Sequence, residues 1–402
     1  MSVEVRPFGV KCNIRCAYCY QNPQRDAQNI VQSYDLERIK ATIEGLGRPF
    51  TLFGGEPLMA PIDDLEKLWA WGQSKFGRSN MQTNGVLINT RHIALFKKYN
   101  VHVGISVDGP GALNRARWAG TAKGTERATQ KTLAAIRMLL NAGLKPGIIV
   151  TLHRANASAA ALPVLFGWLK ELEALGIRSV RLHVLEVDDA SIRDTYALTP
   201  EEQVNAFAAL AALERTLTTL RFDVFADMRQ LMRGLDNRTA CVWNACDPYT
   251  TRAVQGVEGN GQRSNCGRTN KDGVDFVKAD EPGFERYVAL YHTPQAHGGC
   301  NGCRYFLVCK GQCPGTAIDG DWRNRTEHCE LWKHLYCELE TALLAEGEIP
   351  LSLRAEREVI EAAILLCWSA GYNPMIETLI RLCEGNPAIP SEKLAELALR
   401  SQ

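Results

Sequence analysis

Apolar positions in the first half of the chain switch between two periods. Short strand-like runs fall at residues 3–9, 50–54, 79–83, 101–107, 147–152 and 180–186. Between them lie longer stretches of helical period near 34–46, 62–75, 90–99, 126–142, 159–175 and 200–220. Strand-like runs separated by amphipathic helices predict a parallel α/β fold, because a parallel crossover needs a helix to carry the chain back. Start signals agree with this reading: Asp35, Asn89 or Thr90, and Thr199 followed by Pro200 are good helix caps. Six βα units are too few to close an eight-stranded barrel. The expected fold class is therefore α/β, a partial (β/α)6 TIM-like barrel whose working face lies at the C-terminal strand ends.

The pattern then changes. Residues 226–335 are rich in Gly, Asn, Asp and Cys, show poor periodicity, and need a metal to hold them together. Residues 336–402 turn helical again, with runs near 330–344, 353–370, 374–382 and 391–399. The expected domains are thus 1–225, 226–335 and 336–402. Ile360, Ile364, Leu365 and Trp368 form an apolar helical stripe in the tail, which reads as packing against the barrel or as a docking face for a peptide.

Composition narrows the function. The 402 residues carry 46 basic and 45 acidic side chains, which argues against a nucleic-acid or membrane-surface binder. No run is apolar for long enough to span a bilayer, and no signal peptide pattern follows Met1, so a cytoplasmic protein is expected. Fourteen cysteines in such a chain point to metal rather than disulfides. Cys337, Cys367 and Cys383 stand apart and read as ordinary small apolar side chains.

The chemistry starts at Cys12, Cys16 and Cys19, spaced C-x3-C-x2-C directly after the first strand. Three thiolates in so short a loop can hold three irons of a cubane and leave the fourth open to a cofactor or substrate. Gly54-Gly55-Glu56-Pro57, Gln82-Thr83-Asn84-Gly85 and Ser106-Val107-Asp108-Gly109-Pro110 follow in order at strand ends. Later come Cys241 and Cys246, Gly261-x4-Cys266, the run Cys300-x2-Cys303-x5-Cys309-x3-Cys313, and Cys329. Zinc ribbons are the alternative for such C-x2-C pairs, but the C-x5-C-x3-C run fits zinc spacing poorly.

Over roughly residues 1–335 this ordered set resembles radical S-adenosylmethionine (SAM) enzymes that carry a C-terminal SPASM domain. The resemblance implies three 4Fe–4S clusters and SAM as cofactors. Cys12, Cys16 and Cys19 would hold the cluster that cleaves SAM. Gly54, Gly55, Glu56 and Pro57 match the edge that holds the methionine amine. Ser106 matches the contact to the methionine carboxylate, Asp108 its neighbour in the pocket, and Tyr18 a position near the adenine. Asn84 belongs to the pocket less clearly, since Thr83-Asn84-Gly85 is also good turn chemistry, as is Asp108-Gly109-Pro110. The family's interleaving groups Cys241, Cys246, Cys266 and Cys313 in one auxiliary cluster and Cys300, Cys303, Cys309 and Cys329 in another. Related maturases carry an arginine for the SAM carboxylate where this chain aligns Ala134; Arg115, Arg117 and Arg127 are open substitutes.

The implied reaction is reductive cleavage of SAM to a 5′-deoxyadenosyl radical, which removes a hydrogen atom from the substrate. The electron would come from a flavodoxin- or ferredoxin-type donor. A ribosomally made peptide, crosslinked or otherwise oxidised, is the first substrate expectation. No room is expected before strand one for a leader-binding winged helix. Alternatives are a dehydrogenase of a small molecule, a formylglycine-forming sulfatase maturase, or an iron–sulfur carrier that does not turn over SAM. The sulfatase reading is weakened because the family's Asp after the G-x4-C cysteine is here Gly267. For proton transfer, Glu186 and His153 are the candidates at strand ends, with Arg154, His183 and Asp247 weaker ones; each reads equally well as a structural residue.

Overall fold

A computed structural model describes residues 3–29, 33–187, 189–274 and 276–401. The chain divides into two compact units, Met1–Asp223 with Gln255–Val277, and Val224–Val254 with Lys278–Gln402.

The first unit is built on one sheet. Among the described residues its strands are β1 (Val3–Arg6), β2 (Phe50–Leu52), β3 (Ser79–Thr83), β4 (Val101–Ser106), β5 (Gly147–Leu152), β6 (Ser179–Val184), β7 (Arg221–Phe222), β8 (Gly256–Glu258) and β9 (Arg263–Ser264). Their order is β7-β6-β5-β4-β3-β2-β1-β8-β9. The first seven run parallel, β8 adds a parallel strand to the free edge of β1, and β9 pairs antiparallel with β8. The sheet stays open, as the expected partial barrel does. The six expected strands are all present. The last three strands are additional, and the helix expected to reach 220 stops at Thr216 to make way for β7.

Helices α1 (Leu36–Leu46), α2 (Ile62–Phe76), α3 (Thr90–Lys98), α4 (Ala122–Asn141), α5 (Leu162–Ala174) and α6 (Pro200–Thr216) connect the parallel strands. The caps are those the sequence suggests. Asp35 accepts from the amides of Glu37 and Arg38, Asn89 from Arg91 and His92, and Thr199 forms a reciprocal box with Glu202. The strands alternate in burial: Val101, Val103 and Ile105 of β4 face the helices, and Ser106 lies on the opposite side. Val150, Leu152, Val180 and Leu182 extend this core toward Leu165, Leu169 and Phe207.

The second unit holds α7 (Cys329–Ala345), α8 (Arg357–Ser369), α9 (Ile376–Gly385) and α10 (Ser391–Arg400) around loops. Its centre is aromatic. Trp368 of α8 lies 5.2 Å from Tyr287 and 6.0 Å from Phe306, and Trp243 meets Trp332 edge-on at 5.6 Å. The apolar stripe of Ile360, Ile364 and Trp368 is therefore buried within its own unit rather than held open for a peptide. Among the described residues no helix is long and apolar enough to cross a membrane.

Candidate functional site

The cysteine loop leaves β1 and is pinned by its backbone. The Arg15 amide donates to the Trp118 carbonyl (2.7 Å) and the Ala17 amide to the Ala116 carbonyl (2.8 Å). On the other side, the Gly55 amide donates to Gly9 (3.0 Å) and the Glu56 amide to Lys11 (2.8 Å). This contact requires glycine. A Cβ on Gly55 would stand 1.9 Å from the Lys11 oxygen, and one on Gly54, whose φ is +102°, would stand 2.5 Å from the Gly9 oxygen. The Gly-Gly edge after β2 thus locks the loop to the sheet and also faces the space beside it.

That space is an open cavity at the C-terminal ends of the strands, about 140 Å³ by the part a water can occupy. Cys12, Cys16, Cys19, Tyr18, Gly54, Gly55, Asn84, Ser106 and Glu186 all line it. Glu56, Pro57, Asp108 and His153 do not. The Glu56 carboxylate instead accepts from the amides of Leu58 (3.0 Å) and Asn84 (2.8 Å) and from the Thr83 hydroxyl (2.7 Å), so it fixes the turn that presents Asn84. The Asn84 amide nitrogen lies 3.8 Å from the Cys12 sulfur.

Behind Tyr18 is a buried polar network. Asp108 accepts from the Tyr18 hydroxyl and from the Thr151 amide (3.1 Å), and its Oδ2 lies 3.3 Å from His153 Nε2. His153 Nδ1 accepts from the Ala155 amide (3.2 Å), which leaves the ring proton on Nε2 to donate to Asp108. Arg117 donates to the Tyr18 oxygen (3.1 Å) and lies 3.9 Å from Asp108. Burial works to raise the Asp108 carboxyl, but the His153 hydrogen bond and the Arg117 charge outweigh it and hold it below the usual range. Burial and the Asp108 charge push the Tyr18 phenol well up, so it stays a donor. Of the open arginines, Arg117 reaches the cavity wall; Arg115, Arg127 and Ala134 are exposed.

Sequence reasoning named Glu186 and His183 but missed Arg268, which joins them at the cavity wall. Arg268 donates to the Glu186 carboxylate, sits 3.2 Å from His183 Nδ1 and stacks 5.0 Å from the Tyr20 ring centroid. Lys271 Nζ lies 3.7 Å from the other Glu186 oxygen. Burial, then the charges of Arg268 and Arg181, hold His183 well below the usual imidazole range. It is therefore neutral, with Nδ1 accepting from the guanidinium. The only signal for Arg268 was its place two residues after Cys266. A Cβ on Gly267 between them would lie 2.7 Å from Arg6 Nη1, so a larger residue here requires the tip of the Arg6 side chain to shift.

Among the described residues no three His, Cys, Asp or Glu side chains converge as a closed metal site would, so the case for iron–sulfur clusters rests on thiol chemistry and on cysteines that line the same cavities. Burial pushes Cys16 up to about 12, with Cys19 and Cys12 adding and Arg117 opposing. Burial likewise raises Cys12. Cys12, Cys16 and Cys19 line the same cavity, and ligation to iron would require each to give up its proton. In the second unit, Cys300, Cys303, Cys309 and Cys329 line one small cavity walled by Tyr305, Phe306, Trp332 and Tyr336. Burial, then Cys303 and Cys329, push Cys300 up to about 12. Cys241, Cys246 and Cys313 belong to the second unit and Cys266 to the first. Asp247 also lies in the second unit, where its carboxylate caps the turn at Tyr249 and Thr250.

Residues 7–160 match the radical SAM superfamily. Over 218 residues the chain is 26% identical to a serine-type anaerobic sulfatase-maturating enzyme of Klebsiella aerogenes, covering 49% of this chain and 50% of that protein. It is 32% identical over 125 residues to a cysteine-type anaerobic sulfatase-maturating enzyme of Clostridium perfringens, covering 27% and 33%. An uncharacterised protein of Synechocystis is 36% identical over 137 residues, covering 30% and 34%. The matched segments span about a third to a half of these relatives. Among solved structures, anSMEcpe with bound AdoMet and Cp18Cys peptide superposes with TM-score 0.66 at 18% identity, over 86% of this chain and 98% of that one. Streptococcus suis SuiB bound to the precursor peptide SuiA gives 0.53 at 13% identity, over 82% and 76%. At these identities the likeness is one of fold.

Proposed function

From a chain whose residues 7–160 are a radical SAM domain, we propose an enzyme that reductively cleaves SAM and removes a hydrogen atom from a ribosomally made peptide, leaving a crosslink or another oxidised side chain. The observation that carries this is one cavity whose walls bring Cys12, Cys16 and Cys19 together with Gly54, Gly55, Ser106 and Arg117. When bound, a 4Fe–4S cluster and SAM supply a carbon radical able to take hydrogen from an unactivated C–H bond.

The chain's own residues supply the rest. Cys12, Cys16 and Cys19 would ligate three irons. The Gly54-Gly55 backbone would meet the methionine amine, and Ser106 with Arg117 its carboxylate. Asp108, through Tyr18, holds Arg117 charged and in place. Ile14, Phe53, Ile149 and Val184 give the cavity its apolar wall and keep water from the reacting carbon. Glu186 is the proton acceptor at the far wall, where Arg268 orients it. Cys300, Cys303, Cys309 and Cys329 would hold an auxiliary cluster that takes up the electron left on the product. The other auxiliary set, Cys241, Cys246, Cys266 and Cys313, rests on the family pattern alone.

Formylglycine formation on a sulfatase is the second reading. The names of the curated relatives favour it, and Gly267 in place of the aspartate of that family's pattern opposes it. Anaerobically reconstituted protein, given SAM and dithionite, separates the possibilities. Formation of 5′-deoxyadenosine supports the radical reading, and its absence overturns it. Incubation with a Cys- or Ser-containing sulfatase peptide and, separately, with a short precursor peptide encoded beside this chain decides the substrate by mass spectrometry. An aldehyde on the sulfatase peptide overturns the crosslinking reading.

A further inference from the structure

Cys12 has two sides. It lines the central cavity, and it also lines a second, open hollow on the outside of the cysteine loop. The other walls of that hollow are Lys11, Arg15, Arg25, Asp26 and Gln28. Three cations against one carboxylate is a local excess in a chain whose total charge is only +1. Two of the cations are held in place. Arg25 donates to Asn22 Oδ1 (2.7 Å) and points toward the Cys19 sulfur (3.9 Å), and Lys11 Nζ rests 5.3 Å from the centre of the Phe8 ring. Arg15 is exposed, and its amide bonds the carbonyl of Trp118, whose side chain is 40% exposed. Exposed arginine and tryptophan are residue types that anchor protein interfaces.

We propose that this basic face is the docking surface for an acidic, low-potential one-electron carrier protein of the flavodoxin or ferredoxin class. The inference rests on the reading of Cys12, Cys16 and Cys19 as ligands of a SAM-cleaving cluster. With SAM and a peptide in the central cavity, that side is closed to a second protein. The outer hollow reaches the same thiolate from solvent. The carrier is oxidised by one electron and the cluster held at Cys12 is reduced by it; no bond forms or breaks and no proton moves in this step. The charges on Lys11, Arg15 and Arg25 steer an acidic partner to the loop, and Trp118 gives it an apolar anchor.

The test uses the full chain with its clusters reconstituted, a bacterial flavodoxin as probe, and the variants Arg15→Glu and Arg15→Glu/Trp118→Ala. Binding is measured by calorimetry at ionic strengths of about 0.01 M and about 0.1 M, over which the screening length shrinks from about 30 Å to about 10 Å. Formation of 5′-deoxyadenosine is followed with reduced flavodoxin and, separately, with dithionite. Wild-type binding is expected to weaken with salt. Both variants are expected to weaken it on the order of tenfold, with the double variant weaker still. Flavodoxin-driven turnover falls on the order of tenfold further than dithionite-driven turnover, the ratio of the two rates cancelling any effect of the variants on the cysteine loop itself. Wild-type affinity in the double variant, or affinity insensitive to salt, overturns the proposal. Absence of 5′-deoxyadenosine with dithionite in the wild type would overturn the radical reading instead, and the binding measurement would still decide the docking surface.

Discussion

Gly55→Ala puts the junction between the sheet and the cysteine loop to a direct test. The added Cβ would stand 1.9 Å from the Lys11 oxygen, 2.3 Å from its carbonyl carbon and 2.7 Å from the Val10 carbonyl carbon. Ordinary contact begins near 3.4 Å, so the two backbones must part by about 1.5 Å. Every atom met is main chain, so no rotamer change relieves the clash. The separation breaks the bonds from Gly55 to Gly9 and from Glu56 to Lys11, at about 1 kcal/mol each. It also moves Cys12 relative to Asn84 and Ser106. A misplacement of about 1 Å at a reacting centre costs on the order of 100-fold in rate. The expected variant thus binds less iron, loses about 2 kcal/mol of stability, and forms 5′-deoxyadenosine about 100-fold more slowly. Gly45→Ala is the control: nothing lies within 4 Å of its Cβ, and in helix α1 alanine should stabilise by about 0.5–1 kcal/mol. A Gly55→Ala protein with wild-type iron content, melting temperature and SAM cleavage would refute the account of this junction.

Glu186→Gln should leave 5′-deoxyadenosine formation near wild type and lower modified peptide by on the order of 100-fold; an equal fall in both yields means that Glu186 holds the cavity together rather than taking a proton. His183 folds neutral, with its imidazole value depressed, so the unfolded chain takes the extra proton first. Its stabilising share is intact above the unfolded value near 6.5 and is lost as pH falls below it, by up to about 1.4 kcal/mol per unit. Denaturant unfolding between about pH 7 and about pH 5.5 should therefore be less pH-dependent in His183→Gln than in wild type, and identical slopes would refute the point. Cys309→Ser should remove one cluster's iron, about four atoms per chain, and destabilise the second unit; unchanged iron by colorimetric assay would sink the assignment of that cavity.

The strands and caps of the first unit were legible because they are local. Period-two burial in β4 and β5 and the capping side chains of Asp35, Asn89 and Thr199 need only neighbouring residues. The cysteine loop, the Gly-Gly edge and Ser106 were legible because the chemistry restricts residue type and spacing. The elements that escaped are long-range. β7 and β9 have two residues each, and β8 has three, too few to show a period. The sequence left Arg115, Arg117 and Arg127 open, and the choice of Arg117 shows only in its contacts with Tyr18 and Asp108 after a 3-10 turn at Gly111–Asn114. Arg268 meets Glu186 across 82 positions of sequence. Glu56 stood in the right motif, but only the geometry gives its carboxylate to Leu58, Thr83 and Asn84.

The pairing of β1 with β8 sets an order of assembly. Residues 4–6 find their partners at 256–258, and buried Arg6 meets Glu258 across 252 positions. During synthesis the edge of β1 therefore waits, unpaired, until most of the chain has left the ribosome, and late closure of so distant a contact is slow. A nascent chain stalled or cut after Asp223 would expose that edge as a template for wrong pairing. Attempts to express the first unit by itself from its N-terminal part should end in aggregates, unless residues 255–277 are supplied on the same polypeptide.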